Sequence, residues 1–139
     1  MLVLDTDAIS LIQRGSGPRF DALTTVLDED ADDVYVTVIS LDEQIHGAFK
    51  EIASNSLRIR IRGYRRLHDI ADDYCGRPML DYDEKAESIF DRLRGLKGRP
   101  ATKDLRIASI ALSYDATLVT GNVTDFEKIP LLKLRPIPS

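Results

Sequence analysis

Short apolar runs alternate with longer segments of helical period along the chain, and this alternation constrains the fold more than any other feature. The runs with strand character are Leu2–Leu4, Val34–Ile39, Met79–Leu80, Thr117–Thr120 and Leu132–Leu134. The segments with apolar residues at helical spacing are Leu41–Ser54, Asp83–Leu96 and Thr102–Tyr114. Strands that alternate with helices form a parallel sheet covered on both faces. The sequence therefore predicts a three-layer α/β/α fold with a central, mostly parallel sheet of about five strands.

Length and composition indicate one domain that spans residues 1–139. The chain is 43% hydrophobic and 30% charged, which is enough apolar material for a single core. The formal net charge is −4, so no global basic field attracts nucleic acid. The single cysteine, Cys75, fits a reducing compartment, and no apolar run reaches 18 residues. We therefore expect a cytoplasmic protein with no membrane segment.

Four acidic residues lie in separate segments, each where a strand ends or a helix begins. Asp5 follows the first apolar run, Glu43 lies in the first helical turn after "VYVTVIS", Asp104 opens the helix "TKDLRIASIAL", and Asp125 follows "ATLVTGNVT". Active crevices of parallel sheets lie outside the carboxyl ends of the strands, so we expect these carboxylates at one edge. A charged side chain at the end of a buried strand loses hydration, and only a cation or hydrogen bonds can compensate this cost. We therefore expect a positive group near Asp5.

Carboxylates that converge on one place predict a site for a hard cation. They repel each other and remain ionised together only when a cation neutralises them. Oxygen ligands with no Cys or His partner favour Mg²⁺ or Mn²⁺ over zinc. A metal between such carboxylates can polarise a phosphoryl group and lower the pKa of a water for in-line attack. The pattern therefore points to phosphodiester or phosphomonoester chemistry.

A structural interpretation of the same acids stays open at this point. The stretch "SLDE" matches the capping box S-x-x-E, in which Glu43 would accept a hydrogen bond from a backbone donor at the helix start. Asp7, Asp104 and Asp125 could be first-turn acids that complement helix dipoles. Asp5 belongs to the strand end rather than to a helix cap, so a purely structural role explains it less well.

The stretch "RIRIRGYRR" holds five arginines in nine residues. If it is helical, Arg58, Arg62 and Arg65 form one stripe, beside a second stripe that includes Leu57 and Ile61. The basic stripe could bind the phosphate backbone of RNA, or it could be an ordinary solvated face. The alternation of Arg and Ile could instead indicate a strand, although Gly63 weakens that interpretation.

Four blocks of the chain resemble, in order and spacing, the motifs of PIN-domain proteins. The blocks are "LVLDTDAIS", "TVISLDEQIHG", "TKDLRIASIAL" and "LVTGNVTDFEKIPLL". Among PIN-domain proteins, they look most like the VapC-type toxins of bacterial toxin–antitoxin pairs. "LDTD" alone is a weak signal, whereas the four blocks together are fairly specific. The resemblance extends from Leu2 to about Leu134.

The resemblance implies an endoribonuclease that uses Mg²⁺ or Mn²⁺ and acts as a toxin. It implies that Asp5 and Asp104 are the principal metal ligands, and that Glu43 and Asp125 complete an acidic quartet. It also implies a homodimer that a cognate antitoxin protein neutralises. The stretch "GRPATKD" before the third block departs from the family pattern, which concerns only the shape of that loop.

The resemblance assigns supporting roles to three further residues. Thr120 and Asn122, in "VTGN", match a polar pair that supports the site by hydrogen bonding. Asp7 matches a position that is often polar, and we interpret it as a cap near the site.

Two alternatives remain from the sequence alone. "LVLDTD" also resembles the first motif of haloacid-dehalogenase-like phosphatases, in which Asp5 would be a nucleophile and Asp7 a general acid. The other alternative is a non-catalytic binding module, in which the acids are helix caps and the arginine stripe docks an acidic partner.

Overall fold

The structure, a computed structural model, describes residues 1–30 and 33–139. The strands in these residues are β1 (Leu2–Leu4), β2 (Val34–Thr37), β3 (Met79–Leu80), β4 (Thr117–Thr120) and β5 (Lys133–Pro136). The helices are α1 (Thr6–Arg14), α2 (Pro18–Asp30), α3 (Val38–Ile52), α4 (Leu57–Tyr74), α5 (Glu84–Leu93), α6 (Thr102–Ser113) and α7 (Val123–Phe126). No helix in the described ranges combines the length and the apolar content that a membrane span requires.

The five strands form one parallel sheet in the order β3-β2-β1-β4-β5. Leu4 of β1 pairs with Val119 of β4 at the centre of the sheet. The chain runs from β1 outward to β2 and β3, then returns to β4 on the other side of β1. The crevice between β1 and β4 is therefore the switch point at which ligands bind in such sheets.

Alternate residues of the central strands pack on opposite faces of the sheet. Val3 and Leu118 belong to a core cluster that includes buried residues of α5 and α6. Leu4 and Val119 belong to a second cluster, which includes buried residues of α1 and α2. This period of two, with helices on both faces, confirms the predicted three-layer α/β/α architecture.

Helix α3 begins earlier than the sequence predicts, which shortens the strand before it. The run Val34–Ile39 was expected to be a strand, but β2 ends at Thr37, whose side chain caps α3 by accepting a hydrogen bond from the Ser40 backbone N–H at 3.2 Å. The capping-box interpretation of "SLDE" is therefore wrong. Glu43 lies in the second turn of α3, not the first.

Helix α4 contains the arginine-rich stretch, so the strand interpretation of that stretch is wrong. Ser56 caps the helix, and its side chain accepts a hydrogen bond from the Ile59 backbone N–H. Gly63 allows α4 to pack closely on α3: a Cβ atom at position 63 would lie 2.6 Å from the backbone nitrogen of Ile52. Leu57 and Ile61 remain exposed on the outer side of α4.

The last strand also differs from its predicted bounds. The run Leu132–Leu134 was expected to be the strand, whereas β5 covers Lys133–Pro136. Its final residue pairs with Thr120, the last residue of β4.

Candidate active site

Asp5 is almost completely buried where β1 ends, with 3% of its surface exposed. It is also the N-cap of α1, because its Oδ1 accepts a hydrogen bond from the Ala8 backbone N–H at 2.8 Å. The expectation that Asp5 belongs to the strand end rather than to a cap is therefore wrong. One residue separates β1 from α1, so a single carboxylate serves both positions.

A chain of hydrogen bonds from the end of β4 holds the other oxygen of Asp5. The Thr120 hydroxyl donates to Asp5 Oδ2 at 2.5 Å and accepts from the Asn122 backbone N–H at 2.9 Å. The Asn122 side-chain amide donates to Asp125 Oδ2 at 2.6 Å. Thr120 and Asn122 thus make the type of contact that the "VTGN" motif implies, and they link the first acid to the fourth.

Asp104 lies in the first turn of α6 and is half-buried. In the part of the chain that the structure describes, no hydrogen bond reaches its carboxylate, so both oxygens are available to a ligand. The pKa of Asp104 is raised from 3.8 to about 6, first by burial and then by the negative charges of Glu43, Asp125 and Asp7. The other acids therefore act electrostatically on Asp104.

Glu43 reaches the site from α3. The Thr6 hydroxyl donates a hydrogen bond to its Oε1 at 2.7 Å and lies 2.9 Å from the Ser40 hydroxyl. Thr6 directly follows Asp5, so this contact ties α3 to the start of α1. Glu43 is oriented by a distant part of the chain rather than by the start of its own helix.

Asp7 forms an ion pair that the sequence analysis missed. Its Oδ2 lies 3.0 Å from Arg19 Nη2. Asp7 lies in the first turn of α1, but the N-cap is Asp5, so the interpretation of Asp7 as the cap is wrong. A Cβ atom at Gly121 would lie 2.2 Å from the same guanidinium nitrogen, so the glycine makes room for the arginine. The start of α2 at Pro18 is a helix signal in the sequence that could have located Arg19 in a first turn.

Asp5 and Asp104 line one cavity of about 500 Å³ at the switch point of the sheet. Its other polar side chains are Asp7, Arg19, Asn122 and Ser139. Arg19 lines the same cavity, but its ion pair is with Asp7, and the carboxylate of Asp5 is held by hydrogen bonds from Ala8 and Thr120 rather than by a positive group. Glu43 instead lines a neighbouring cavity of about 280 Å³.

The donor set fits a hard cation at Asp5 and Asp104. Burial raises the pKa of Asp5 to about 6, despite its hydrogen bonds, and Asp104 has a similar value. Both carboxylates are therefore ionised and repel each other at neutral pH. Magnesium is usually bound through one or two carboxylates, with waters and substrate phosphates as further ligands. Two oxygen donors that share a polar cavity meet this requirement.

The predicted quartet does not form a closed set of ligands. Within residues 1–30 and 33–139, no three His, Cys, Asp or Glu side chains lie close enough together to hold a metal ion. Glu43 and Asp125 do not line the cavity of Asp5 and Asp104, and they are held by hydrogen bonds from Thr6 and Asn122. The structure therefore brings two acids together at the centre, with the other two beside Asp104.

The three arginines that were predicted to contact RNA lie away from this cavity. The surface of α4 carries an open cavity of about 550 Å³, which is lined by Arg58, Arg62, Arg65, Leu57 and Ile61. Arg62 Nε lies 3.2 Å from Glu51 Oε2, so its charge is partly neutralised. None of the three arginines lines the cavity of Asp5 and Asp104.

Solved structures with the same fold include proteins of three bacteria. The chain is 25% identical to a chain of VapBC2 from Rickettsia felis bound to a DNA fragment from their promoter, with a TM-score of 0.71 and coverage of 97% of each chain. For DNA-bound VapBC from Salmonella typhimurium, the identity is 23% and the TM-score 0.71, with 99% of this chain and 98% of that chain covered. For FitAcB from Neisseria gonorrhoeae, the identity is 24% and the TM-score 0.68, with 96% of each chain covered.

The VapBC neighbours are VapC toxins that match over nearly their full length. No curated protein matches the chain by sequence. The PIN domain model matches residues 2–131, which include all four acids. Since this match covers most of the chain, and the parallel sheet agrees with it, the chain belongs to the PIN domain family.

Proposed function

We propose that the protein, as a single domain over residues 1–139, is a metal-dependent endoribonuclease that acts as the toxin of a toxin–antitoxin pair. The observation that carries the proposal is the cavity at the switch point of the sheet, which Asp5 and Asp104 both line. Helix capping alone does not explain why two buried or half-buried carboxylates share one polar cavity. Membership of the PIN domain family and the likeness to VapC toxins support the same function.

Asp5 and Asp104 would hold the metal, and Glu43 and Asp125 would complete the acidic quartet. A bound Mg²⁺ or Mn²⁺ ion supplies polarisation of the phosphoryl group and lowers the pKa of a water for in-line attack. The contribution of the chain is orientation. Thr120 fixes Asp5, and the hydrogen bonds to Glu43 and Asp125 keep those charges beside Asp104.

The proposed partners are an RNA substrate, a cognate antitoxin and a second copy of the chain. The neighbours in Rickettsia felis and Salmonella typhimurium are VapBC proteins bound to DNA, and a Klebsiella pneumoniae neighbour is a toxin–antitoxin complex. By analogy, we expect this protein to form a homodimer that an antitoxin neutralises in the cytoplasm. The arginine surface of α4, with Arg58, Arg62 and Arg65, is a candidate contact for RNA.

The phosphatase alternative gives Asp7 the role of a general acid. That role requires a proton on the carboxyl group, whereas Asp7 accepts a hydrogen bond from the Arg19 guanidinium as an ion pair. The geometry therefore supports a nuclease better than an aspartyl phosphatase.

The test is the cleavage of total cellular RNA by the purified protein with Mg²⁺ or Mn²⁺. We expect discrete fragments that disappear with a chelator and with Asp104→Asn, because the substitution removes a charge that no hydrogen bond in the described chain satisfies. The matched control is Asp115→Asn. The Asp115 side chain is 92% exposed, and the residue lies just before the amino end of β4, opposite the acids.

Circular dichroism must show that both variants are folded. Full cleavage by a folded Asp104→Asn protein would refute the proposed role of this residue. The binding-module alternative predicts no RNA cleavage and no thermal stabilisation by millimolar Mg²⁺ or Mn²⁺, whereas a metal site raises stability as it fills.

A further inference from the structure

A second cavity, of about 280 Å³, adjoins the acids and is lined mainly by basic side chains. We call it the cationic cleft, and its lining residues are Glu43, His46, Gly47, Lys50 and Lys103. Two helices build it, since Lys103 belongs to α6 and the other residues belong to α3. In a chain with a net charge of −4, basic groups from two separate helices meet beside an acidic site.

The carboxylate of Asp42 holds two of these basic groups at the rim. Its Oδ2 pairs with Lys103 Nζ, and its Oδ1 lies 2.9 Å from His46 Nδ1. The Lys103 ammonium holds the pKa of Asp42 below its usual value. Lys50 differs from both, because no acid in the described part of the chain pairs with it. At least one positive charge of the cleft is therefore available to an anion.

Gly47 lines the cleft and lies close to Arg66 of α4. A Cβ atom at this position would lie 3.1 Å from Arg66 Nη2, so the glycine lets the guanidinium of α4 approach α3. Arg66 is held there by Glu51, whose Oε1 lies 2.7 Å from Arg66 Nη1. A glycine inside a helix costs about 1 kcal/mol relative to alanine, so the close approach explains its presence in the middle of α3.

The cationic cleft lies next to the acidic site, although the two cavities share no lining residue. Glu43 lines the cleft and acts electrostatically on Asp104, and Lys103 directly precedes Asp104 in α6. When an RNA strand binds with one phosphate at the acids, its neighbouring phosphates have to lie beside the acidic site. The cationic cleft is an adjacent surface at which a neighbouring phosphate would meet positive charge.

We propose that the cationic cleft binds a phosphate of the RNA strand that flanks the scissile phosphate, with Lys50 as the main ligand and Lys103, which already pairs with Asp42, as a weaker one. This inference rests on the proposed function and adds a binding subsite to it. It places the neighbouring phosphate between α3 and α6, rather than on the arginine surface of α4. Lys50 and Lys103 are binding residues in this account and take no part in the chemical step.

The first test is the salt dependence of RNA binding, measured by fluorescence anisotropy with a labelled single-stranded RNA. All proteins carry Asp104→Asn, so that the RNA is not cleaved. Lys50→Gln should weaken binding on the order of tenfold, since a hydrogen bond to a charged group is lost. The slope of log affinity against log salt should fall by about 0.7, which corresponds to one phosphate of a single strand.

The matched control is Lys133→Gln, at the amino end of β5 and therefore opposite the acids. Lys133 is half-exposed and pairs with Asp115 at 3.3 Å. The Lys133→Gln substitution should leave both the affinity for RNA and the slope of log affinity against log salt unchanged. Lys103→Gln should weaken binding less than Lys50→Gln does, because Asp42 already pairs with Lys103. The double variant should lose no more slope than one phosphate accounts for.

The second test is cleavage by proteins that retain Asp104. Lys50→Gln should raise KM with kcat unchanged, because it removes binding that the ground state and the transition state share. An affinity, slope and KM equal to those of Lys133→Gln would overturn the cationic cleft while the nuclease assignment stands. If the unsubstituted protein neither cleaves nor binds RNA, the proposed function fails, and the inference fails with it.

Discussion

Replacement of Asp5 by asparagine should stabilise the protein in a chelating buffer. Asp5 is buried and close to the charges of Asp7 and Asp104, and its pKa is raised from 3.8 to about 6. Between these two values the native state binds more protons than the unfolded state. The free energy of unfolding therefore decreases as the pH rises through this window. Asparagine has no charge and still serves as a helix N-cap, so Asp5→Asn should remove this decrease in the free energy of unfolding.

The expected magnitude follows from the size of the pKa shift. A difference of about two pKa units, at about 1.4 kcal/mol per unit, amounts to about 3 kcal/mol. The Asp5→Asn protein should be more stable than the unsubstituted protein by about 3 kcal/mol near pH 7.5. The difference should shrink to about 1 kcal/mol near pH 4.5, where the native carboxyl is mostly protonated.

Urea denaturation in a chelating buffer at both pH values measures these differences. Asp115→Asn is the matched control. Because the Asp115 side chain is exposed, this substitution should change the free energy of unfolding by the same amount at both pH values. Equal stabilities of the unsubstituted protein and Asp5→Asn at both pH values would refute the reasoning. A difference of the opposite sign would mean that hydrogen bonding, rather than burial, dominates the energy of Asp5.

Two further predictions concern the hydrogen bond to Asp5 and the contact between α3 and α4. Thr120→Val removes the donor to Asp5 Oδ2 and should raise the pKa of Asp5 further, so the acid limb of kcat/KM for RNA cleavage should move to higher pH. An unchanged limb between about pH 5 and pH 9 would contradict this. Gly63→Ala should lower the free energy of unfolding by about 1–3 kcal/mol, because the new Cβ meets the Ile52 backbone. Urea denaturation checks it against Gly95→Ala, whose Cβ meets open space.

The elements that local periodicity defines could be predicted from the sequence. Helix α6 covers Thr102–Ser113, within the predicted segment Thr102–Tyr114, and its buried residues share a core cluster with α5. The central strands β1 and β4 occur at the predicted residues. These predictions succeed because a buried strand or helix has to bury its own side chains, whatever the rest of the chain does.

Helices α1 and α2 were not predicted from the sequence, and the local roles expected for Asp5 and Asp7 were wrong. Asp5 is both the end of β1 and the cap of α1, which the strand pattern alone does not reveal. Asp7 has its partner in Arg19 at the start of α2, twelve residues further along the chain. Local pattern cannot specify such a pair, because its distance depends on how two helices pack.

The sequence by itself determined the fold class, and it predicted a set of four acids at the carboxyl edge of the sheet. Only the tertiary structure decided that Asp5 and Asp104 share a cavity while Glu43 lies beside basic groups. It also decided that Lys103 meets Asp42 across 61 positions of sequence. The physical reason is that periodicity and buried strand ends are properties of one segment, whereas a charge acquires its environment from every segment that the sheet order brings to it.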